Sequence, residues 1–109
     1  MSKQTAQDLA DGLQLIKEKG WTQVIGGKGP DGELCAVYGI NNALVIRYAF
    51  DSNFSVGQFN DRLQWALNAF AEAAGIPKSR IASWNDDPST SFEDVELAFK
   101  KAIFNEENN

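Results

Sequence analysis

Several groupings in this chain have residue types that can do chemistry. Carboxylates cluster as Asp86-Asp87, Glu93-Asp94-Glu96 and Glu106-Glu107. A hydrolase would need two of them facing one another across a cleft, one kept protonated by burial. The first two groups instead bracket the start of an amphipathic run, where a helix dipole favours negative charge. They read as helix-start charge or as an acidic docking patch. Asn85, Asp87, Ser89 and Glu96 share the spacing of a calcium loop, but Asn takes the first position and Thr90 stands where glycine is required. Gly27-x-Gly29-x-x-Gly32 spells a dinucleotide fingerprint. Pro30 and Asp31 sit inside it, and Asp31 would repel a pyrophosphate. Cys35 would need a base or a cation beside it to act as a nucleophile, and the chain has no histidine. One cysteine and no histidine leave no zinc ligand set either. The expectation is no catalytic residue, no metal and no cofactor.

The most informative local feature is Trp84-Asn85-Asp86, followed by Asp87-Pro88-Ser89-Thr90-Ser91. The indole favours burial and its N–H needs an acceptor. Asn85 and Asp86 can turn their oxygens onto nearby backbone N–H groups. The segment reads as a locked structural corner before a helix. Ser91 and Asp94 then match a capping box, with Asp in place of the usual Glu or Gln.

These groups need elements to position them. Ala6, Leu9, Leu13 and Ile16 recur at helical spacing and predict a helix over residues 4–19, closed by Gly20. Gly12 within it leaves room for a close neighbour. Residues 26–32 hold four glycines and a proline, which makes a loop. Phe59, Leu63, Ala66, Leu67, Phe70 and Ala73 predict the clearest helix, opening at Ser55 or Gly57 and ending at Gly75 and Pro77. Val95, Ala98, Phe99, Ala102 and Ile103 predict the last helix, with 105–109 as a frayed tail. Residues 33–50 are apolar at either period and fit a buried helix or a small hairpin turning at Asn41-Asn42.

The order of pieces is familiar. A first helix ends in Gly20-Trp21, a glycine-rich turn leads to Cys35-x-x-x-Gly39, and a middle helix precedes the Trp84-Asn85-Asp86 corner and a final helix. Over residues 10–103 the chain resembles a family of small uncharacterised domains of actinobacteria and their phages, which carry a cysteine helix and a Trp-Asn-Asp corner. Here Cys35 and Gly39 lie one residue further apart than is usual, and Asn41-Asn42 replaces small apolar residues. The resemblance implies a helical segment at 33–50, with Cys35 and Gly39 in its packing, and a phage or actinobacterial origin. The expected fold is therefore all-α: about four helices around one core, with a glycine-rich loop after the first. The alternative is α+β, with a small sheet in 21–50.

At 109 residues the chain reads as a single domain. A formal charge of −5 argues against nucleic acid and anionic membrane as partners. No segment approaches a membrane span. A lone cysteine fits a reducing compartment, and Met1 to Thr5 open no secretory signal, so a cytoplasmic location is expected, in the host cell for a phage-encoded chain. Function is then expected at the surface. Trp65 falls off the main stripe of its helix and is a candidate anchor. Asp87, Glu93 and Glu96 would meet basic groups of a partner. The expectation is a small acidic, non-enzymatic binding protein that docks on and modulates a bacterial host protein. One alternative is a virion or self-assembling component. Another is a small-molecule pocket or unrecognised enzyme built from Cys35, Tyr38, Asn42 and the corner.

Overall fold

The computed structural model describes residues 2–24 and 28–108. Gly26 and Gly27 of the glycine-rich loop, and with them the first glycine of the fingerprint spelling, lie outside the described residues. The architecture is all-α. Helix α1 spans Ser2–Lys19, α2 Ala36–Phe50, α3 Val56–Ala74, α4 Ile81–Asp86 and α5 Phe92–Glu107, with a 3₁₀ turn Lys78–Arg80 leading into α4. Among the described residues the four long helices match the expected count of about four, and the apolar segment before the corner adds the short α4. Where a frayed tail is expected, α5 continues through Glu107, and Asn108 returns its backbone N–H to the Phe104 carbonyl.

Local signals explain most helix ends. Ser55 with Gln58, and Ser91 with Asp94, each form a reciprocal capping box that meets two N–H groups otherwise unpaired. Gly75 ends α3 at φ +74°, and Gly20 follows α1 at φ +95°, backbone that a Cβ would strain. Cys35 stands at the N-cap of α2, where its Sγ accepts from the Tyr38 backbone N–H at 3.5 Å. It thus opens the helix rather than lying within it. The alternative sheet in 21–50 amounts to isolated bridges of Trp21 and Lys28 with Leu34 among the described residues.

Helix α1 is the centre, packed against α2, α3 and α5. Its stripe of Leu9, Leu13 and Ile16 meets Ile40 and Leu44 of α2 and the Phe70–Phe99 pair, whose rings lie edge to face at 4.8 Å. The α1–α2 crossing is close because both helices are bare there. A Cβ on Gly12 would stand 3.1 Å from the Ile40 Cα, and one on Gly39 would stand 2.4 Å from the Ile16 Cδ1.

Candidate functional site

Three arrangements combine polar or exposed groups in ways the core does not require. The first is the corner. Asn85 at the end of α4 is fully buried, and its amide is fully employed. Its Oδ1 accepts from the Trp21 Nε1 at 2.8 Å and from the Ala36 backbone N–H at 3.0 Å. Its Nδ2 donates to the Thr22 carbonyl and to the Asp86 Oδ1, each at 2.9 Å. The side amide of Gln23 adds bonds to the carbonyls of Asn85, Asp87 and Thr90. One asparagine thus ties the loop after α1, the start of α2 and the end of α4 together. The indole N–H that the corner holds belongs to Trp21. Trp84 instead lays its ring edge to face on Phe70, 5.9 Å between centroids.

The second is a buried charge network. Asp8 on α1 is only 1 % exposed, and Arg62 of α3 grips it with two bonds, Nε to Oδ2 at 2.9 Å and a terminal nitrogen to Oδ1 at 2.6 Å. Arg47 of α2 reaches the same carboxylate at 3.8 Å and bonds Asp11 at 2.7 Å. Donating that hydrogen bond to Asp11 raises the Arg47 pKa further, so its charge is fixed. Arg62 also stacks over the Phe54 ring at 4.6 Å. The network fastens three helices; such a bidentate pair is costly to break but contributes little beyond a hydrophobic replacement.

The third is the outer side of α2. Its inward residues Ala36, Gly39, Ile40, Ala43 and Leu44 are buried, yet the opposite side near its C-terminus is also apolar. Val45 and Ile46 are nearly half exposed, Ala49 is exposed, and Phe50 is 87 % exposed. Beside them runs a groove of about 330 Å³ lined by Asp11, Leu15, Ala43, Ile46, Arg47 and Phe50, with Asp51 at its end. Tyr48 leans the other way, onto Phe54 and Phe59 at 5.8 Å each. Near its C-terminus α2 is thus apolar beyond the side that the core covers, where an exposed helix face is normally polar.

The residues singled out in the sequence fall elsewhere. Trp65 is half-buried on α3, while the carboxylates occupy the α4–α5 turn and α5. No hydrogen bond or ring contact joins Trp65 to them among the described residues. Asp87 is exposed and accepts from the hydroxyl and backbone N–H of Ser89, which lowers its pKa. Glu93 is exposed in the first turn of α5. Glu96 is already engaged: Lys17 lies 2.8 Å away and lowers its pKa, with Lys100 at 3.8 Å. Burial raises the pKa of the Cys35 thiol, and nearby Asp86 adds to the effect. The thiolate needed for nucleophilic attack is therefore disfavoured. Tyr38 lines a separate groove of about 270 Å³ with Val37, Asn41 and Leu63, and Asn42 accepts from Asn41. Among the described residues no three His, Cys, Asp or Glu side chains group closely enough to hold a metal ion, and no helix is long and apolar enough to cross a membrane.

Sequence reasoning missed both the Asp8 network and the α2 face. Asp8 looks like a solvated helix residue because its partners are 39 and 54 positions away. The α2 face had a signal, an apolar excess that neither period could use up.

Among the described residues, fold and geometry define a small helical domain whose buried polar side-chain atoms all have partners and whose α2 leaves an apolar face uncovered. The chain belongs to DUF6197, a family of unknown function that matches residues 1–105. The resemblance to an uncharacterised family thus holds at that level. Neither the comparison with curated proteins nor that with solved structures gave a match.

Proposed function

We propose that this chain is a non-enzymatic docking domain that presents the outer face of α2 to another protein surface. The observation that carries the reading is the continuous exposed run of Val45, Ile46, Ala49 and Phe50 beside an apolar groove. Exposed patches of this kind, rimmed by polar groups, mark contact sites on soluble domains. Aromatic anchors such as Phe50 are enriched at the centres of interfaces. On α5, Leu97 and Phe104 are also exposed, but Lys100 and Lys101 lie between them. The polar interior supports the same reading from the other side, since every described buried side-chain polar atom already has a partner.

The test is a photo-crosslinking phenylalanine analogue placed at position 50, and separately at position 97, in the chain expressed in its native cells. Adducts are expected from position 50 and not from position 97. Absence of any adduct from position 50, or equal yields from both, would overturn the reading. An adduct with a foreign chain would identify the partner, the bacterial host protein implied by the phage resemblance being one such target.

A further inference from the structure

We draw no further inference here: the strongest candidate, the groove between α1 and α2 walled by Leu15, Ala43, Ile46 and Phe50, belongs to the docking face already proposed, and nothing in the structure shows what covers it.

Discussion

Replacing Asn85 by aspartate separates the two ends of its amide. The retained oxygen can still accept from the Trp21 Nε1 and the Ala36 N–H. The lost nitrogen leaves the Thr22 carbonyl and the Asp86 Oδ1 facing a carboxylate oxygen instead of a donor. The buried Thr22 carbonyl left unmet costs about 1–3 kcal/mol, and the half-buried Asp86 oxygen, which water can reach, adds less, so the pair costs about 2–4 kcal/mol before any charge repulsion. That is a large share of the about 5–15 kcal/mol that holds a domain together. The new carboxyl is fully buried among acceptors, so its folded pKa rises above the unfolded value of about 3.9. The folded state then binds the proton more tightly, and stability falls as pH climbs through the raised value. Below it the protonated oxygen donates in place of the amide. Urea midpoints measured at about pH 5 and about pH 7.5 should therefore show a deficit relative to the parent that shrinks on the acid side at constant slope. An Asn85→Asp chain within about 0.5 kcal/mol of the parent near neutrality, or a deficit indifferent to pH, would refute the account of this corner.

Further outcomes follow from the packing. Arg62→Met strands a carboxylate that is 1 % exposed and should cost about 3–5 kcal/mol in chemical denaturation, whereas the double change with Asp8→Leu should recover most of it. Gly39→Ala places a methyl 2.4 Å from the Ile16 Cδ1; overpacking of about 1–3 kcal/mol should exceed the roughly 1 kcal/mol helix gain, and Ile16→Val should relieve it in thermal melts. The raised pKa of Cys35 predicts slow alkylation of the folded chain by iodoacetamide near neutral pH and fast alkylation in denaturant, read by mass spectrometry. Lys17 holds the Glu96 pKa down, so their pairing stabilises above the ordinary glutamate value and is lost as pH falls through the lowered one. Lys17→Met should remove that part of the acid unfolding limb.

Much of the fold could be read from the order of residues. The stripes of α1, α3 and α5 are amphipathic in the usual way, and their caps are local, so Ser91 with Asp94 or Gly75 announce themselves within a few positions. Helix α2 resisted the same reading for a physical reason: its outward side is as apolar as its inward side, which erases the contrast that periodicity depends on. The corner was visible as a polar cluster beside Trp84, but its true indole partner, Trp21, lies 64 positions upstream. Asp8 and Arg62, 54 positions apart, carry no local mark distinguishing them from surface charges. Trp65 drew notice by being off-stripe, and it lies half-buried on α3.

The position of α1 bears on how the chain comes to be folded. Helices α2, α3 and α5 all settle against α1, which precedes them in the chain, and α5 follows the others. During synthesis α2 and α3 can cover part of α1 as they emerge, but the side of α1 that α5 covers stays open until residues 92–107 follow. A chain stopped short of α5 would therefore leave core residues of α1 and α3 exposed, the kind of surface that chaperones and proteases act on.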